Sequence, residues 1–214
     1  MNNARTGGAT KRAIATGPPV PIAYTNRKGL TYYLCRGTTR TGRVRYVFAR
    51  QPHDEPVADL PPGYRISESV NGVVSLVKDA PATIRPEEVG VVAAAVRRHP
   101  QAPLYRVAVR GDRIEVYEQD GPDADELTAL SDRFGLDRAR TQTVVREHLA
   151  RWARYSPILR FRLADAARRT FSVQRRSYLG SGDDWQPLVV VGPIEELARQ
   201  LIPALGTERF FEWD

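Results

Sequence analysis

The sequence predicts an α+β fold: antiparallel β-hairpins and a β-meander, with helices packed on one side. Three observations carry this. Short runs of alternating apolar and polar residues are separated by tight-turn signals, the period of strands half-buried on a sheet. Four segments repeat their apolar residues at helical spacing instead. Successive strands follow one another directly rather than alternating strictly with helices, which argues against a doubly wound parallel sheet.

Residues 1–20 are polar, aperiodic and punctuated by Gly and Pro; they read as a disordered basic tail. The first hairpin pairs "LTYYLCR" with "RVRYVFAR" across "GTTRTG". In its second strand Val44, Tyr46 and Phe48 share one face while Arg43, Arg45 and Val47 share the other. One side is therefore expected on a core. "NRKG" before it reads as a further turn. "DLPPGYRISESVNGVVSLVKD" is a second hairpin, its Asn71-Gly72 the strongest short-range signal for one. "RPEEVGVVAAAVRRHP" is a helix. Pro86 suits its first position, Glu87 and Glu88 complement its dipole, and Val89, Val92, Ala93 and Val96 form its apolar stripe.

"LYRVAVRGDRIEVYEQ" turns at Gly111-Asp112 as a third hairpin. A short helix follows, with Leu127 and Leu130 inward and Gly135 as its stop; a longer one places Val145, Leu149 and Trp152 on one side. "PILRFRLAD", "RRTFSVQRRSYL" and "WQPLVVVG" make a meander. Pro193, Glu195 and Glu196 open a last helix running to about Leu205, with Gly206 as its stop. "TERFFEWD" is expected to dock through Phe210, Phe211 and Trp213. The Asp- and Pro-bearing stretch at 119–124 is the best boundary. It divides the chain into a hairpin-rich unit (21–119) and a C-terminal α+β unit (120–214), unless the two are one continuous domain.

The charge is lopsided. Residues 1–50 hold ten basic side chains and no acid, so the formal net charge of +7 is wholly a property of that segment. Over the whole chain all of the 32 basic residues except Lys11, Lys28 and Lys78 are Arg, which suits bidentate phosphate contacts, although a GC-rich coding sequence would also enrich Arg. Arg40, Arg43 and Arg45 cluster near the first hairpin turn, with Arg27, Lys28 and Arg36 near by. Two-stranded ribbons enter the major groove, and Tyr32 and Tyr33 have the chemistry to stack on unpaired bases. The competing reading makes the aromatics core and the arginines a solvated face.

"GSGDDW" puts Asp183 and Asp184 in a turn, where paired carboxylates can hold a divalent metal given further oxygen ligands. Successive residues seldom aim at one point, and Asp in a turn ordinarily bonds its own backbone. His53, His99 and His148 match neither a zinc site nor a triad. The single Cys35 excludes an intramolecular disulfide and reads as a small buried hydrophobe. No phosphate-cradling glycine loop, serine-hydrolase elbow or zinc-protease motif is present, so no cofactor is expected and the balance is against an enzyme. No apolar run reaches the roughly 20 residues of a membrane span, and a cytoplasmic location is the default.

The stretches "TNRKGLTYYL", "GTTRTGRVRYVFAR", "DLPPGYRISESVNGVVSL", "YSPILRF", "GSGDDW" and "LGTERFFE" resemble an uncharacterised family of bacterial proteins over nearly the whole chain. That resemblance implies one evolutionary unit and no particular chemistry. The leading expectation is a non-enzymatic protein that binds DNA or RNA through its basic hairpin. Two alternatives stand: a protein-interaction module of a larger assembly, and a metal-dependent enzyme centred on Asp183 and Asp184.

Overall fold

The computed structural model describes residues 20–52, 55–132, 137–176 and 185–212, with the side chains at 130–132 and 138 left aside. Among the described residues, three antiparallel sheets and four α-helices form the expected α+β arrangement.

The first sheet holds β1 (Ala23–Thr25), β2 (Thr31–Thr38), β3 (Val44–Ala49) and β4 (Glu55–Pro56). Its centre is β2, flanked by β3 on one side and by β1 and β4 on the other. Leu34 and Cys35 are neighbours on β2 and so point to opposite faces, yet both are fully buried. The hairpin is thus covered on both faces at its middle, where the sequence pattern predicts one. The alternation along β3 shows only one apolar face, because Val47 sits among arginines in sequence but lies opposite Cys35 in register.

β5 (Tyr64–Glu68) and β6 (Val74–Lys78) form the second hairpin. Gly72 closes its turn at φ +76°, a conformation open to glycine and costly for other residues. The third sheet has the order β11-β10-β9-β8-β7: β7 (Tyr105–Arg110), β8 (Arg113–Gln119), β9 (Tyr155–Asp165), β10 (Thr170–Arg176) and β11 (Trp185–Pro193). Since β8 pairs with β9, this sheet is continuous across positions 119–124.

One face of the large sheet carries α1 (Pro86–Arg97) and α4 (Ile194–Leu201). Val92 and Val96 from α1, Leu197 and Leu201 from α4, and Leu159, Phe161, Phe171 and Val173 from the strands share this core. Glu88 is buried within it. It accepts from the Arg85 amide at 2.8 Å and receives both arms of the Arg169 guanidinium, Nε at 2.7 Å. Burial disfavours the charged carboxylate, but these hydrogen bonds outweigh it and hold Glu88 below its ordinary pKa. Arg169 does this from a left-handed backbone conformation, φ +52°.

Details of three helices and of the C-terminal stretch differ from the sequence reading or lie outside the described residues. In α2 (Ala124–Asp132) Thr128 is the fully buried side chain among those described, its hydroxyl donating to the Ala124 carbonyl at 2.6 Å, while Leu127 is half-buried; the side chain of Leu130 and Gly135 lie outside the described residues. In α3 (Arg138–Trp152) Leu149 packs inward, but Trp152 is 42% exposed because the helix ends there and the chain leaves for β9. α4 stops at Leu201, since Pro203 tightens the next residues into a 3₁₀ turn. Phe210 is buried but Phe211 is half-exposed; Trp213 lies outside the described residues.

Candidate nucleic-acid interface

The six basic residues picked out by the sequence fall into three places. Arg40, Arg43 and Arg45 occupy the tip of the β2–β3 hairpin, all exposed. The tip is held by its own hydrogen bonds. The Thr39 amide donates to the Arg43 carbonyl at 2.8 Å, the Gly42 amide donates to the Thr39 carbonyl at 2.9 Å, and the Arg43 amide donates to the Thr39 hydroxyl at 3.1 Å. Gly42 supplies the left-handed residue, φ +77°, that such a loop needs. Arg45 stands opposite Gly37, so no side chain crosses the sheet to meet it. Arg43, two residues earlier, shares its face.

Arg36 faces the other way. It lies opposite Tyr46, on the face of Leu34 and Phe48, and pairs with Glu55 of β4 at 3.7 Å. Both partners are largely exposed, so this pair is worth little, typically about 0–1 kcal/mol, but Glu55 offsets the positive charge of Arg36.

Arg27 and Lys28 sit at the far end of β2, in the "NRKG" turn. Asn26, 4% exposed, organises that turn: its Oδ1 accepts from the amides of Lys28 and Leu30, both at 3.0 Å. Its Nδ2 donates to the Gly72 carbonyl at 2.7 Å, tying the turn to the second hairpin. The Arg27 amide donates to Glu68 at 2.9 Å, and Tyr24 donates to the other oxygen of that carboxylate at 3.0 Å. The Arg27 guanidinium lies 5.5 Å from the Tyr155 ring centroid, and the Lys28 ammonium 5.8 Å from that of Trp152. These cations serve the junction between the first sheet and the large sheet while keeping a solvent-facing side: Arg27 is exposed and Lys28 half-buried. Arg151 and Arg154, both exposed, flank Trp152 in sequence and add to this second basic patch. Sequence reasoning passed over them because they lie more than a hundred residues from "NRKG".

The eight residues of β2 separate the two patches. At about 3.3 Å per residue they stand roughly 25 Å apart. The screening length at physiological salt is about 8 Å, so the fields of the two patches are largely screened from one another. Among the described residues no carboxylate forms an ion pair with Arg40, Arg43 or Arg45.

The other singled-out groups have structural surroundings or lie elsewhere. Cys35 is buried, its thiol 3.6 Å from the Tyr33 carbonyl. His99 is 8% exposed with both ring nitrogens engaged. Nδ1 accepts from the Gln101 amide at 3.1 Å, which places the proton on Nε2, 3.2 Å from the Leu205 carbonyl. His148 is exposed on α3. His53, Asp183 and Asp184 lie outside the described residues; among the described residues no three His, Cys, Asp or Glu side chains cluster as metal ligands. No described helix is long and apolar enough to cross a membrane.

Comparison with family models, with curated proteins and with solved structures finds no match for this chain.

Proposed function

We propose that the protein is a non-enzymatic nucleic-acid-binding protein whose first contact is the Arg40, Arg43 and Arg45 hairpin tip. One observation carries this reading: three exposed guanidinium groups on a hydrogen-bonded turn, with no carboxylate partner among the described residues. Exposed guanidinium groups held on an ordered turn have the chemistry of phosphate contacts. Arg36, Arg27 and Lys28 act as flanking contacts. The roughly 25 Å between the tip and the Arg27–Lys28 patch matches about seven base pairs of duplex at 3.4 Å per step. A polymer bridges the two patches; a small anion reaches only one. The exposed Trp152 beside Lys28 adds a ring able to stack on an unpaired base.

The test is a fluorescence-anisotropy titration of labelled single- and double-stranded oligonucleotides with wild-type protein and with R40E/R43E/R45E. The triple variant should bind neither form detectably. Undiminished binding would refute the role of the tip.

A second reading, a module docking to another protein, draws on exposed apolar side chains away from the basic patches. Val189 is 89% exposed and Val191 66% on the edge strand β11, and Phe211 is half-exposed. It predicts capture of a protein partner that survives nuclease treatment and is lost in V189K/V191K. The metal-enzyme alternative at Asp183 and Asp184 predicts Mn²⁺ binding in wild type that Asp184→Asn removes.

A further inference from the structure

Among its described side chains α3 has none that is fully buried, and the fold uses one side of it. Thr141, Gln142, Val145 and Leu149 are half-buried, and Leu149 packs against the buried cluster of Tyr117, Ala153 and Tyr155. That floor is neutral. Burial first, then a hydrogen bond to Glu115 at 2.6 Å, push the Tyr117 phenol up to about 12, so it keeps its proton at ordinary pH. On the flank toward α2, the Asp125 carboxylate accepts from Gln142 at 3.5 Å and lies 4.0 Å from Arg146.

The opposite side is a stripe. Arg140, Thr143, Val144, Glu147 and Arg151 follow one another at i, i+3, i+4, i+7 and i+11, the spacing of one helix face. All five are exposed, Val144 by 58%. Among the described residues none of the three charged members forms an ion pair. The Thr143 hydroxyl donates to the Ala139 carbonyl at 3.2 Å, so its proton is used within the helix and its methyl group is what it offers outward. The stripe therefore presents two guanidinium forks, one carboxylate and two apolar groups.

The C-terminal end of α3 is basic as well. Arg27 donates to the Ala153 carbonyl at 3.4 Å, the Lys28 ammonium lies 5.8 Å from the Trp152 ring centroid, and Arg154 is exposed just beyond the helix. A polyanion is drawn to that end. An α-helix about 10–12 Å across fills the B-DNA major groove, which is about 12 Å wide. Arg140 and Arg151 stand about 16 Å apart along the axis, or roughly five base-pair steps.

We propose that α3 reads sequence in the major groove of duplex DNA. The inference rests on the protein's being a nucleic-acid binder and names the form that it reads. Arg140 and Arg151 carry the fork that meets guanine O6 and N7, Glu147 accepts from the cytosine amino group, and Thr143 and Val144 suit the thymine methyl. Arg154, Arg27 and Lys28 take phosphates beside the groove, and such backbone contacts set the register in which the stripe is read. Glu147 distinguishes the occupants. A phosphate backbone or an acidic protein surface repels it, whereas a base edge that donates a hydrogen bond does not. An RNA duplex is disfavoured because its major groove is too narrow for side chains to read.

Selection from a duplex DNA library with a randomised core tests this, using the full chain as wild type, Glu147→Ala and Arg140→Ala. Anisotropy titrations of the selected duplex and of a scrambled one follow. Wild type should enrich one motif of about five base pairs. Glu147→Ala should bind the scrambled duplex at least as well as wild type, yet lose roughly tenfold of the preference for the selected one, with the loss confined to one base position. Arg140→Ala should relax a guanine position. Replacing that guanine by 7-deazaguanine, which deletes the N7 acceptor in the major groove, should weaken wild type several-fold and leave Arg140→Ala unaffected. Both substituted positions are exposed, and retained binding of the scrambled duplex shows that each variant is folded. The selected sequence made as an RNA duplex should bind no better than scrambled DNA. Binding without an enriched motif, a motif unchanged in both variants, or equal affinity for the RNA duplex would overturn this proposal and leave the hairpin tip standing. A wild type that binds no oligonucleotide would overturn both.

Discussion

Arg169 offers a perturbation whose size can be worked from the structure. Its guanidinium grips Glu88 through two hydrogen bonds and also donates to the Thr83 carbonyl at 3.2 Å, fastening the start of α1 to the β9–β10 turn. The side chains are 19% and 9% exposed. Breaking a fully buried pair from one side costs about 3–5 kcal/mol; the residual exposure puts this one near the lower end, at about 3 kcal/mol in Arg169→Ala. Arg169 also holds φ +52°, a strain of roughly 1–2 kcal/mol for any residue with a Cβ. Glycine escapes that strain but gives back about 0.5–1 kcal/mol in unfolded-chain entropy.

Arg169→Gly should therefore be the milder change, by about 0.5–1 kcal/mol. Urea unfolding followed by circular dichroism measures both. With m near 2–3 kcal/mol/M, the alanine midpoint should fall by roughly 1 M. The pH dependence has a definite sign. Glu88 has a depressed pKa in the folded chain, so its contribution is complete above the ordinary carboxylate range and is lost as pH falls through the folded value. The stability gap between wild type and Glu88→Gln should be flat near neutrality and shrink below about pH 4.5. Glycine costing more than alanine, or a gap unaffected by acid, would refute this account of the clamp.

Asn26→Ala removes two acceptor contacts and a donor from a buried turn and should cost about 2–4 kcal/mol in the same unfolding assay; Asn26→Asp should also destabilise, because it loses the bond to Gly72 and buries a charge. Absorbance titration of the native protein near 295 nm should show a phenol ionising near pH 12 that Tyr117→Phe deletes. Since that pKa is raised on folding, the stability it contributes is whole below about pH 10 and lost as pH climbs toward 12. Cys35, fully buried, should react with a disulfide reagent only at the rate of unfolding; stoichiometric reaction of the native protein within seconds would contradict its burial.

The hairpins, the meander and the two helices on the large sheet were legible because each announces itself locally. Asn71-Gly72 and Gly111-Asp112 mark turns, and Val89, Val92 and Val96 mark a stripe. What was not legible is what those elements do to one another. Asn26 reads as a turn residue, and nothing near it foretells that its amide reaches Gly72, forty-six positions on. Glu55 lies in a two-residue strand too short to show a period in sequence, yet β4 brings it to Arg36. Glu88 reads as a dipole-complementing acid, and its partner Arg169 comes from a turn eighty-one positions away. The basic patch is half-legible for the same reason: period two separates Arg43 and Arg45 from Arg36, but Trp152, Arg151 and Arg154 join Arg27 and Lys28 only through the tertiary fold.

The central claim is that Arg40, Arg43 and Arg45, which have no carboxylate partner among the described residues, contact phosphates from a hydrogen-bonded turn. The direct measurement is the slope of log binding constant against log salt for a duplex oligonucleotide, in wild type and in a charge-neutralised R40Q/R43Q/R45Q variant. Each phosphate contact contributes about 0.9 to that slope, so the variant should lose roughly two to three units while keeping its fold. An unchanged slope, or a wild-type affinity indifferent to salt, would contradict the account.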